Sequence, residues 1–228
     1  MSDDQLLRQP PFYYMLGGLA IAGVKADDQF AFDINPYVMS DPARAGFNLA
    51  LHTPAENFPY RGTVAAVHAL RLFSGLIGLI GLIATYLAGL LVFSGRRLLA
   101  TAAMAINAFI PQYVFSSAVA NNDILVGVLG SWCIYLCLRL VLTDVRIWAL
   151  GLASILAGLA IVTKYDGVMI LPVVAATALF KLVQVWQTNR AQFPKEFVRI
   201  SVIAIVGALA PILWFGRNKL LYGCLLYT

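Results

Sequence analysis

The 228-residue chain predicts an all-α fold, a polytopic integral membrane helix bundle of about six transmembrane helices. Three observations carry that prediction. Apolar residues make up 61% of the chain and charged residues only 12%, about half the charged share of an ordinary soluble domain. The apolar residues gather into runs long enough to cross a bilayer, at about 71–93, 98–116, 123–142, 147–163, 167–186 and 200–216. The basic residues stand at the ends of these runs, so the net charge of +5 reflects membrane topology and does not point to nucleic acid.

The first 70 residues read as an external loop region. Residues 11–24, PFYYMLGGLAIAGV, are apolar over too few positions to span and suit an interfacial helix. Residues 71–228 read as the helix bundle, a single domain. Its first run holds Gly75, Gly78 and Gly81, whose spacing places them near one helix face for close packing; no strand precedes them, so they are not a phosphate loop. Asp123 is the only charged residue between Arg97 and Arg139, an interval of roughly 60 Å of helix. A carboxylate at mid-bilayer costs about 2.5–3.5 kcal/mol, so Asn121, Asn122 and Asp123 belong at a hairpin tip. Pro111 suits the end of the preceding helix, and Asp123 the first turn of the next.

Charge sets the expected sidedness. Arg96, Arg97, Arg139, Arg146, Lys181, Arg190, Lys195 and Arg199 fall on one side, whereas Arg71, Lys164, Arg217 and Lys219 fall on the other. The richer set marks the cytoplasm. The Asn-Asn-Asp tip, the TKYDG turn at 163–167 and the RNKLLYG stretch at 217–223 then face the other compartment with residues 1–70. Trp148, Trp186 and Trp214 lie near run ends, as interfacial anchors do. No signal peptide or earlier span carries residues 1–70 across, and the chain stops soon after its last run; the expectation is a piece truncated at both ends. Cys133, Cys137 and Cys224 read as small apolar side chains, and His52 and His68 as solitary.

This topology collects the unusual polar residues at the external surface: Arg8 and Gln9 before the paired prolines, Arg71, Asp123, Lys164 with Asp166, and Arg217 with Asn218. Each has a local explanation as a cap or a flanking charge. Together they form cations and carboxylates around the mouth of an apolar bundle, suited to an amphiphile with a phosphate head.

The order of short motifs resembles that of the GT-C membrane glycosyltransferases, in particular bacterial proteins similar to protein O-mannosyltransferases and to the lipid A aminoarabinose transferase. RQPPFYYMLGGL (8–19), LRLFSGLIGLIGLIATYLAGLLVF (70–93), PQYVFSSAVANNDILVGVLGSWCIYLCLRL (111–140), GLAIVTKYDGVMILP (158–172) and RNKLLYG (217–223) carry the likeness over nearly the whole chain. Residues 35–62 resemble the loop of a bacterial subgroup without a defined substrate. The resemblance implies transfer of a sugar from a polyprenyl-phosphate carrier to an acceptor, with inversion, on the outer face of the bacterial inner membrane. It implies a catalytic role for Asp123, and substrate contacts for Arg8, Gln9, Arg71, Asn122, Lys164, Asp166 and Arg217. Gln9 stands where the aminoarabinose transferases have a phosphate-binding lysine, with Arg8 beside it. The family's first-loop Asp-Glu, its general base, is not found upstream of the paired prolines. No cofactor is implied, and no metal-ligand cluster can be read. Two other classes fit the composition: a transporter, which predicts repeats and interrupted helices, and a non-catalytic membrane scaffold.

Overall fold

The computed structural model describes residues 10–26, 28, 51–143 and 147–223. Among them there is no strand. The helices are α1 (Phe12–Ala20), α2 (Gly62–Val92), α3 (Arg97–Ala108), α4 (Pro111–Ala118), α5 (Asp123–Leu142), α6 (Trp148–Ile161), α7 (Leu171–Thr188) and α8 (Phe193–Tyr222), with 3₁₀ turns at Pro54–Glu56, Tyr165–Ile170 and Arg190–Gln192. Four of these segments, α2, α5, α7 with its leading turn, and α8 with its leading turn, are long and apolar enough to cross a membrane. The count is five if α3 and α4 together make one crossing.

α5 coincides with the run at 123–142, bounded by an acid in its first turn and Arg139 in its last, each at the end its charge favours. α2 is longer than its apolar run, starting at Gly62, because the upstream TVAAVHAL stretch is rich in helix-favouring alanine despite its lower hydropathy. The run at 98–116 is not one helix: α3 and α4 meet at a 65° bend. Pro111 begins α4 and does not close α3; Ile110 before it is extended, at φ −63° and ψ 122°, as the residue preceding a proline prefers. The run at 147–163 yields only the 14 residues of α6. α1 has nine residues, too few to span.

The core forms around α5. Cys133, Leu136, Cys137 and Leu140 pack with Ala149, Leu150 and Ala153 of α6, while Ile124, Leu125 and Val128 join Tyr13 of α1 and Ile77 of α2 in a second cluster. Small residues set the close approaches. A Cβ on Gly78 would lie 3.2 Å from Ser117, and one on Gly81 would lie 2.7 Å from both Tyr113 and Val128. The glycine run of α2 thus packs against α4 and α5.

The tightest crossing joins α6 to α8. Pro211 in α8 has no N–H to give the Gly207 carbonyl one turn back. That carbonyl faces α6, where a Cβ on Gly158 would stand 2.1 Å from it. Trp148 and Trp186 sit at helix ends as expected, whereas α8 continues beyond Trp214 to Tyr222. Cys133 and Cys137 are buried and unpaired by disulfide; Cys224 lies outside the described residues.

Candidate functional site

The polar site lies where α5 begins and α6 ends. α6 returns alongside α5, bringing Thr163 beside Asn122, whose side-chain amide donates to the Thr163 carbonyl at 3.1 Å. Asn122 is only 2% exposed, so this bond fixes the two chain segments beneath the surface. The N–H of Phe12, opening α1, donates to the Val162 carbonyl at 3.2 Å. Tyr13 and Ser74 share a buried hydroxyl bond of 2.8 Å, tying α1 to α2 as well. Four elements therefore meet at one end of the bundle.

On this frame Asp123 and Lys164, 41 residues apart, form an ion pair, the Lys164 ammonium donating to Asp123 Oδ1. Asn121 donates to the other carboxylate oxygen at 2.8 Å. Asp166 Oδ2 lies 3.3 Å from the same ammonium, so Lys164 is shared between two carboxylates. The Lys164 and Asp123 side chains are 38% and 30% exposed, open enough to meet a solute and covered enough to hold their geometry. The hydrogen bond to Asp123 pushes the Lys164 pKa up, opposed by partial burial. Helix ends reinforce the arrangement: Asp123 is in the first turn of α5, and the Lys164 N–H still bonds the Ala160 carbonyl at the C-terminal end of α6.

Two contributors were missed in the sequence. Asn121 completes the carboxylate's bonds. Tyr14 on α1 is close enough to feel both charges: burial raises its phenol pKa most, the neighbouring Tyr13 and the Asp123 carboxylate raise it further, and Lys164 lowers it. Asn121 had a signal, since its side chain reaches two residues along the same turn. Tyr14 had none to separate it from Phe12 and Tyr13.

The expected residues do not all converge. Asp123, Lys164 and Asp166 meet, with Asn122 buried beneath them. Phe215 of α8 packs edge-on against Tyr165 at 6.5 Å, so α8 reaches this end of the bundle. Arg217, however, lies over Trp214 at 5.2 Å and donates to Asn218 at 3.3 Å; among the described residues it makes no ion pair with Asp123 or Asp166. Arg71 lines a different hollow with His52, Glu56 and His68. Arg8 and Gln9 lie outside the described residues. Among the described residues no three His, Cys, Asp or Glu side chains gather as a metal site.

An apolar cleft of about 290 Å³ opens between α6, α7 and α8. It runs past Gly158, Ile161, Leu171, Val174, Gly207 and Pro211, so its wall includes the last turn of α6 three residues before Lys164. A charged cluster and a greasy cleft thus share one short helix. No known protein family, no curated protein and no solved structure matches the chain.

Proposed function

We propose that this chain is part of a membrane glycosyltransferase of the GT-C kind, which moves a sugar from a polyprenyl-phosphate donor to an acceptor at the extracytoplasmic face of a bacterial inner membrane. The Asp123–Lys164–Asp166 cluster at the end of α6, beside the apolar cleft, is the observation that supports this reading. The cleft suits an isoprenoid chain, and Lys164 suits the phosphate that leaves when the sugar departs. As it stands, Asp123 is a poor base, because Lys164 and Asn121 engage both its oxygens. A donor phosphate competes for Lys164 and frees Oδ1. The carboxylate then takes the proton of the acceptor hydroxyl as its oxygen bonds the anomeric carbon, the C1–O bond to phosphate breaks, and the carrier leaves as polyprenyl phosphate.

The test is transfer from polyprenyl-phosphate sugars by the full-length protein in vesicles. Asp123→Asn should lower turnover by at least about 100-fold, in the range of a lost general base, with donor affinity retained. Lys164→Ala should weaken donor binding. Unchanged turnover in Asp123→Asn would reduce the cluster to a helix-end ion pair. One observation favours a second reading, a transporter: the bent α3–α4 pair is the kind of interrupted helix that lines a substrate path. Solute uptake into proteoliposomes without sugar transfer would select that alternative.

A further inference from the structure

The hollow containing Arg71 lies outside the Asp123–Lys164 cluster and asks for an occupant of its own. It measures about 110 Å³ and is lined by His52, Glu56, Val64, Val67, His68 and Arg71. Its lining presents a guanidinium, two imidazoles and one carboxylate, a set that suits a small anionic head better than an apolar group. We propose that it binds the phosphate of an anionic phospholipid, on Arg71 and His68, at the membrane surface.

The depth of Arg71 along α2 supports a lipid head. α2 has 31 residues, roughly 46 Å, which exceeds a hydrocarbon core of about 30 Å. No charged residue occurs from Leu72 to Gly95, so the stretch that can sit in hydrocarbon begins immediately after Arg71. Arg71 is therefore at the level where lipid phosphates lie. Beyond it, Leu72, Leu76 and Ile83 are exposed on α2, an apolar track for acyl chains. Phe58, 82% exposed, and Tyr60 stand beside the hollow as interfacial aromatics do.

The hydrogen bonding leaves the right groups available. His68 precedes Arg71 by one helical turn and is held flat by stacking on Tyr60, with ring centres 3.8 Å apart. Among the described residues neither Arg71 nor His68 makes an ion pair. Among the described residues, Glu56 in the lining and the nearby Asp28 each hold other partners. Glu56 takes the His52 ring nitrogen at 2.6 Å and the Thr53 N–H at 3.2 Å. Asp28 takes the N–H and the hydroxyl of Thr63, each at 2.7 Å. A phosphate entering the hollow meets a guanidinium, which offers paired N–H donors, and an imidazole N–H.

The experiment reconstitutes the full chain in phosphatidylcholine vesicles carrying a trace of spin-labelled phosphatidic acid or spin-labelled phosphatidylcholine. The fraction of label immobilised on the protein gives their relative association. The wild type should prefer phosphatidic acid by about fivefold, the effect of one basic residue at the membrane surface. Arg71→Ala should bring the ratio close to one, and His68→Ala should lower it, while Lys181→Ala on α7 leaves it unchanged. Arg71→Gln, which keeps the side chain's length, replaces Arg71→Ala if that variant loses its helical signal. Equal association of both lipids with the wild type, or a preference that survives both Arg71 variants, overturns the proposal. So does stabilisation by inorganic phosphate that depends on Arg71 but comes without lipid preference, which would assign the hollow to a soluble anion.

Discussion

Breaking the Asp123–Lys164 pair should cost about 1–2 kcal/mol, and the magnitude follows from exposure and helix ends. Exposed ion pairs contribute about 0.2–1 kcal/mol, whereas removing one partner of a buried pair costs about 3–5 kcal/mol. With side chains 38% and 30% exposed, this pair belongs near the exposed limit, with a coupling of about 1 kcal/mol. Each charge also sits at the helix end that favours it, adding roughly 0.3–1 kcal/mol apiece. Asp123→Asn and Lys164→Met should therefore each destabilise by about 1–2 kcal/mol, and the double variant by about 1 kcal/mol less than their sum. The exchanged pair, Asp123→Lys with Lys164→Asp, restores attraction but reverses both helix-end terms, so it should stay about 1–4 kcal/mol below the wild type. Denaturant unfolding in mixed micelles measures all of these. The coupling has a pH signature: the Lys164 pKa is raised from its ordinary value of 10.5, so the ammonium's contribution is complete below that pH and is lost as pH rises through the raised folded value. Additive single variants, or an exchanged pair as stable as the wild type, would refute the reasoning.

Three further substitutions probe the frame. Gly158→Val places a side chain against the Gly207 carbonyl, 2.1 Å from the position of a Cβ, and requires α6 and α8 to part by about 1 Å; overpacking should cost about 1–3 kcal/mol and lower the melting temperature. Gly62→Ala meets a left-handed φ of +56° and a carboxylate oxygen of Asp28 at 2.1 Å, so it should cost at least about 1–2 kcal/mol and speed amide exchange in the first turn of α2. Asn122→Ala leaves the buried Thr163 carbonyl without its 3.1 Å donor and should cost about 1–3 kcal/mol, read as a shift in the unfolding midpoint.

The helical class and the α5 boundaries were legible because a 20-residue apolar stretch between an acid and a threonine leaves little choice of register. The bend before α4 was obscured by hydropathy, which averages across Pro111; the backbone restriction on Ile110 was the signal that counted. The 14-residue length of α6 was hidden as well, because Val162 and Thr163 continue the apolar run after the helix has ended. Asp123 and Lys164 stood out as rare charges. Their direct pairing did not, since sidedness assigns a residue to an end of the bundle but not to a position around its circumference. The same limit explains Arg71, expected near Lys164 and found beside His68.

The shortness of α6 has a consequence for any bilayer it would cross. Fourteen residues cover roughly 21 Å, about 9 Å less than the hydrocarbon thickness. Were α6 to cross a membrane, that shortfall would have to be met by local thinning of the lipid or by water reaching down to the ammonium of Lys164. A crossing of that kind would put the ion pair on the floor of a depression, a place that a water-soluble molecule and a lipid tail could enter from opposite directions.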